Sequence, residues 1–184
     1  MNPRRMDVEA WRDSILASTG ELDSTHGGPP VESLLDSPRR TLYAAVSRNG
    51  DRYASDSFLR LFDFPLPRAT SEGRNTSVVP QQSLFLMNSP FMAARSRALA
   101  ARLERDAPDD PTRIDLACRL LFARPASDAD QQLGLEFLAT ARHDSTTSTQ
   151  STSPTNTPAP QQPLTPWQQY AQVLLSCSEF MHIQ

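Results

Sequence analysis

Nine side chains in this sequence combine a type that could do chemistry with a setting that packing alone does not explain: Glu9, Arg12, Arg39, Arg40, Arg74, Asn75, Thr76, Gln82 and Asn88. Arginines grip carboxylate, sulfate or phosphate groups through paired N–H donors, and amides read hydroxyls, so a ligand site built from them would suit an anionic glycan. The same set can also be a buried polar network that ties the first helix and two arginine-bearing loops to a central helix. We take the network as the first reading, because no catalytic base accompanies the set. All eighteen basic residues are arginine, which removes Schiff-base chemistry and a P-loop lysine. Of three histidines, His143 opens a low-complexity tract, His182 sits near the end, and His26 beside Gly27 and Gly28 reads as an incidental loop residue. Cys118 and Cys177 each share a helical face with aliphatic neighbours and read as small buried hydrophobes; whether they pair stays open. No C-x-x-C-H, H-E-x-x-H, G-x-S-x-G or G-x-G-x-x-G occurs, so no cofactor is expected in this chain.

The elements that must position these residues are mainly helical. A small polar residue followed by proline recurs at Asn2-Pro3, Ser89-Pro90, Asp110-Pro111 and Thr165-Pro166, an N-cap acceptor before a residue suited to the first helical position. Thr165 with Gln168 makes a capping box, and Ser127 with Asp130 a weaker one. These signals predict helices over 3–19, 90–105, 111–122, 128–142 and 166–182. The first places Val8, Trp11, Ile15 and Thr19 on one face, ends at Gly20, and carries Arg4 and Arg5 in its first turn, solvated or paired with Asp7 and Glu9. A central helix opened by Pro80 carries Leu84, Met87 and Phe91 at helical spacing, widened by Phe85 and Leu86. It is expected to be largely buried, with Gln82 and Asn88 drawn into that burial.

Between Glu21 and Gly73 the pattern is mixed. Gly27-Gly28-Pro29-Pro30 is a turn, Thr41 to Ser47 alternates as a short strand, and Ser55 to Phe62 reads as a helix stopped by Pro65; a two-stranded pairing with Thr76 to Val79 is an expectation here. The fold class is therefore mainly α, with a small irregular or two-stranded region in the N-terminal half and a disordered insertion. We expect a domain over 1–143, a Ser/Thr/Pro/Gln-rich linker over 144–164 that cannot offset its ordering entropy, and a last helix over 165–184 docking on the same core. A linker of that length reaches roughly 25 Å, enough for the return. Trp167, Tyr170, Ala171, Leu174, Cys177 and Met181 form the face that would dock.

Net charge of −3 and a pI near 5.6 give no basic field for nucleic acid. No run approaches the roughly 20 apolar residues of a membrane span, and the first residues lack the apolar stretch of a signal peptide, so a stand-alone product reads as cytoplasmic.

The residues NPRR (Asn2 to Arg5), VEAWRDSIL (Val8 to Leu16), GGP (Gly27 to Pro29), RRTLY (Arg39 to Tyr43) and FDFP (Phe62 to Pro65), the pattern R-x-T-x-x-x-P-x-Q-x-L-x-L-x-N-x-P-F within Arg74 to Phe91, ARP (Ala123 to Pro125) and SEF (Ser178 to Phe180) carry a resemblance. The chain resembles the C-terminal domain of unknown function in large planctomycete proteins that often hold cytochrome c-like domains further upstream. That resemblance implies a periplasmic or secreted setting. It also implies a partner in the upstream domains of a longer protein or in a separate cytochrome-bearing protein, and that Met1 is an internal or truncated start. Two functions are expected in order: a non-catalytic helical structural or interaction domain, and alternatively a polysaccharide-binding or hydrolytic module using the arginines and amides.

Overall fold

The computed structural model describes residues 4–49, 52–70, 73–74, 76–147 and 163–183. Among them the chain is mainly α, with eight helices and one two-stranded antiparallel sheet. The helices are α1 (Val8–Thr19), α2 (Ala54–Leu61), α3 (Pro80–Asn88), α4 (Pro90–Asp106), α5 (Asp110–Phe122), α6 (Asp128–Thr147), α7 (Pro166–Ser176) and α8 (Ser178–Met181). The strands β1 (Arg4–Arg5) and β2 (His182–Ile183) pair Arg4 with Ile183 and Arg5 with His182.

Local chemistry sets most helix ends. Ser89 accepts the Met92 N–H at 3.2 Å ahead of Pro90, Asp109 accepts the Thr112 N–H at 2.9 Å, and Thr165 and Gln168 close a reciprocal box at 3.4 and 3.1 Å. Gly20 ends α1 at φ 80°, a left-handed conformation that costs glycine little. Glycine matters again at Gly134 in α6. A Cβ there would lie 2.7 Å from the Tyr170 hydroxyl and 2.8 Å from Ile114 Cδ1, so its absence lets α5, α6 and α7 meet.

The core joins two aromatic groups. Trp11, Phe58, Phe62, Phe85 and Phe91 lie with neighbouring ring centroids 4.8 to 6.4 Å apart, and Phe137, Tyr170 and Trp167 form the second group at 5.5 and 5.6 Å. Between them Leu99, Leu103, Ile114, Leu138 and Leu175 are fully enclosed. α7 packs against α4 and α6, and α4 against α1.

Several sequence expectations are corrected. The first helix starts at Val8, and Arg4 and Arg5 lie in a strand; Asn2 and Pro3 fall outside the described residues. Arg5 turns to Asp63 at 3.4 Å and to the Ser77 carbonyl at 2.6 Å, so its partner is neither Asp7 nor Glu9. Thr41–Tyr43 is a 3-10 turn and not a strand, and Leu42 is 72% exposed. The sheet joins 4–5 to 182–183 and leaves Val78 89% exposed. α3 is not buried all round: Gln82 and Leu86 face inward, while Leu84 and Met87 are 57% and 67% exposed. α6 continues to Thr147, five residues past its expected end at 142, whereas residues 148–162 of the expected linker fall outside those described. The last helix breaks at Cys177, whose φ of −75° and ψ of 155° are extended, and resumes as α8 before β2.

Candidate functional site

Arg12 sits on α1 among Trp11, Ile15 and Leu16, with none of its surface exposed. Its guanidinium donates to the Arg39 carbonyl at 2.9 Å, to Thr41 Oγ1 at 3.1 Å, to the Ser37 carbonyl at 2.5 Å and to the Leu34 carbonyl. Asp13 lies 3.7 Å away and accepts from both the backbone N–H and the hydroxyl of Thr41, at 2.8 and 2.7 Å. Burial pushes the Arg12 guanidinium down to about 10, with Asp13 opposing and Arg95 adding, and it stays charged at neutral pH. Arg40 approaches the outer oxygen of Asp13 at 3.5 Å. Arg39 lies over the Tyr43 ring at 4.1 Å and donates to the Pro29 carbonyl at 2.8 Å and to the Gly27 carbonyl, bracing the turn whose Gly27 N–H donates to the Tyr43 hydroxyl at 2.8 Å.

A second group forms at the start of α1. Arg74 meets Glu9 through two parallel bonds of 2.6 Å, with Asp7 at 3.9 Å. Burial alone would raise the Glu9 carboxyl, but the Arg74 hydrogen bonds and charge outweigh it and hold the group below the usual carboxylate range. The same pairing raises Arg74. Asp63, at φ 66°, accepts from Ser77 N and Oγ at 3.0 and 2.5 Å and from Arg5, which pins the chain just before α3. Thr76 is exposed beside this group, and Asn75 falls outside the described residues.

The two amides part company. Gln82 is buried and donates to the Leu61 carbonyl at 2.9 Å, closing the last turn of α2. Asn88 is exposed at the end of α3 and joins neither group, which corrects the expectation that it lies in the buried network. The eight candidates among the described residues therefore form two clusters and two separate amides rather than one pocket.

A cavity of about 770 Å³ is an open groove elsewhere, lined by Ser14, Arg102, Phe122, Arg124, Glu179, His182 and neighbours. Arg124 is clamped between Glu179 at 2.7 Å and Asp130 at 2.6 Å; those bonds raise it and hold the Asp130 carboxyl far below its usual range. Arg102 donates to the Ala17 and Ser18 carbonyls at the end of α1, at 3.1 and 2.8 Å. His182 Nδ1 lies 2.8 Å from the Ser178 carbonyl, which fixes the ring with Nε2 as its other nitrogen. His182 stands near the end of the sequence, where no local signal reveals that residues 4–5 hold it in a sheet. Burial pushes the Cys118 thiol up to about 11 and raises Cys177 as well; both are free thiols. No group of three metal-ligating side chains occurs among the described residues.

Residues 1–138 match the family described as PSD1, protein of unknown function (DUF1553). The chain belongs to this family. No curated protein and no solved structure matches it. The PSD1 match takes in both polar clusters, α3 and the first half of α6, whereas α7, α8 and β2 lie beyond it. No helix among the described residues is long and apolar enough to cross a membrane.

Proposed function

We propose that this PSD1-family chain is a non-catalytic helical structural or interaction domain. In this reading it forms the C-terminal part of a larger exported protein, periplasmic or secreted, and packs against upstream domains or a separate cytochrome-bearing partner. The observation that carries the reading is where the guanidinium donors end. Arg12 reaches three backbone carbonyls and a hydroxyl of its own chain, Arg39 two carbonyls, and Arg74 both oxygens of Glu9. Groups committed this way brace loops, and an anion would have to displace bonds already made. Arg124 and Arg102 in the large groove are committed in the same manner.

The test is a ligand screen by glycan array and thermal shift, using sulfated and uronic polysaccharides. No saturable binding and no shift in unfolding midpoint is the expected result. A saturable shift that Arg39→Gln or Arg74→Gln abolishes without unfolding the chain would overturn the proposal.

A further inference from the structure

Arg48 and Arg68 have no hydrogen bond, ion pair or ring contact among the described residues, whereas the arginines of the two polar clusters and of the large groove are engaged within the chain. Arg48 comes from the segment before α2 and Arg68 from the loop after it, and both line one cleft with Leu59 and Phe64 among its apolar walls. Arg60 lines the cleft as well. The carboxylate there, Asp56, is buried, and its two oxygens accept the Ser47 and Tyr53 N–H groups at 3.1 Å each. The cleft therefore keeps two unneutralised guanidiniums in a chain whose net charge is −3. Its backbone is held before any ligand arrives: Asp56 anchors the residue before Arg48, and Pro65 and Pro67 fix the loop leading to Arg68.

Size and surroundings select the ligand. The cleft holds about 30 Å³, roughly twice the minimum for one water, which is room for a carboxylate and none for a sugar ring. A second cleft of about 420 Å³ shares Arg60, Phe64, Pro65 and Leu66 with it and continues past Ala69 to Arg74. There the acid, Asp63, is bonded to Ser77 and Arg5, and Arg74 to Glu9, while the Leu66 side chain is 42% exposed. A small cationic site beside a larger apolar one fits a segment that sets carboxylates next to apolar side chains. Uncommitted guanidiniums take a carboxylate through paired N–H donors, and arginine is among the residues that carry most interface energy. We propose that the Arg48–Arg68 cleft, with the apolar cleft beside it, binds an acidic segment of a partner protein whose carboxylates alternate with apolar side chains. This rests on the interaction-domain reading above and names the surface and the chemistry of its partner.

Fluorescence anisotropy of a short labelled peptide alternating glutamate and leucine, titrated with the full chain, tests it. Saturable binding is expected, weakened about tenfold or more by Arg48→Gln or Arg68→Gln. A glutamine–leucine peptide should not bind, and a glutamate–serine peptide should bind more weakly. Arg105→Gln, an equal change of charge on the exposed side of α4, should leave the affinity unchanged and so separate a site from bulk charge. Arg48 and Arg68 are exposed, so unfolding midpoints of their variants should match the parent. No binding of the peptide, equal binding of its glutamine counterpart, or indifference to both substitutions would overturn the inference. So would dextran sulfate occupying Arg48 and Arg68 in the peptide's place, which would assign the cleft to a sulfated glycan. A peptide that fails to bind leaves the ligand screen standing, because that screen reads Arg39 and Arg74; saturable binding through those two sinks the non-catalytic reading whether or not the peptide binds.

Discussion

A guanidinium with no exposed surface is costly unless its donors are met, and Arg12 meets this at both terminal nitrogens with acceptors drawn from the irregular segment 34–41, leaving only Nε–H without a partner. Arg12→Leu should therefore lower the unfolding free energy by about 3 kcal/mol, since it strands buried carbonyls rather than merely removing a charge. Urea unfolding measures this, and a change under about 0.5 kcal/mol would mean that the loop carbonyls find water instead. Cys118 offers a test of a different kind. Its thiol rises from 9.0 to about 11 on burial, so the folded chain keeps a proton that the unfolded chain loses. The stability tied to that proton is complete below pH 9 and is lost as pH rises through 11. We expect unfolding free energy to fall across that window with a Cys118 contribution of order 1 to 2 kcal/mol, and the decline to be shallower in Cys118→Ala. Parallel pH profiles for the two proteins would show that the thiol is not the group responsible.

Helices show which features a sequence can reveal. Caps are local, so Ser89 before Pro90 and Thr165 with Gln168 were readable, and they mark real helix starts. Phase across a break is not local. Leu84, Met87 and Phe91 look like one stripe, but Ser89 is extended, Phe91 belongs to α4, and the stripe resets. The inward positions of α3 are then Gln82 and Leu86. In α7 the expected face is off by one residue near its end: Leu174, expected inward, is half-buried, while Leu175 is fully enclosed. The candidate arginines were identifiable as residue types, yet their partners are mostly backbone carbonyls of an irregular segment, which side-chain pattern cannot encode. Burial rather than residue type should govern the cost of truncation. Leu175→Ala should cost about 2 to 5 kcal/mol, and Leu133→Ala, on the solvent side of α6, under about 0.5 kcal/mol. Similar losses for the two variants, by chemical denaturation, would mean that α7 is not docked as described.

At the scale of the molecule, the described chain is closed at its ends. β1 pairs with β2 antiparallel, and the Met6 N–H donates to the Met181 carbonyl at 2.9 Å, so the first and last described residues lie side by side. Joining Gln184 directly to Met1 would make residues 184, 1, 2 and 3 the loop of a β-hairpin, with Ile183 opposite Arg4. Four-residue loops are common hairpin connections, and Asn2-Pro3 is turn-forming chemistry. New ends can be opened between Thr155 and Asn156, in the tract rich in Ser, Thr, Pro and Gln that has few apolar side chains to anchor. Such a circular permutant should keep the helical far-UV spectrum and unfold within a few degrees of the parent. Closing the hairpin removes chain entropy at one point while opening the tract restores it at another, and loop-closure costs change only as the logarithm of length. If β2 instead met β1 only loosely, the permutant's four-residue closure would pull α8 and His182 away from the groove they line. The result would be a loss of several degrees, together with early proteolysis near Phe180. A permutant as stable as the parent would agree with residues 4–5 and 182–183 lying side by side in the folded chain.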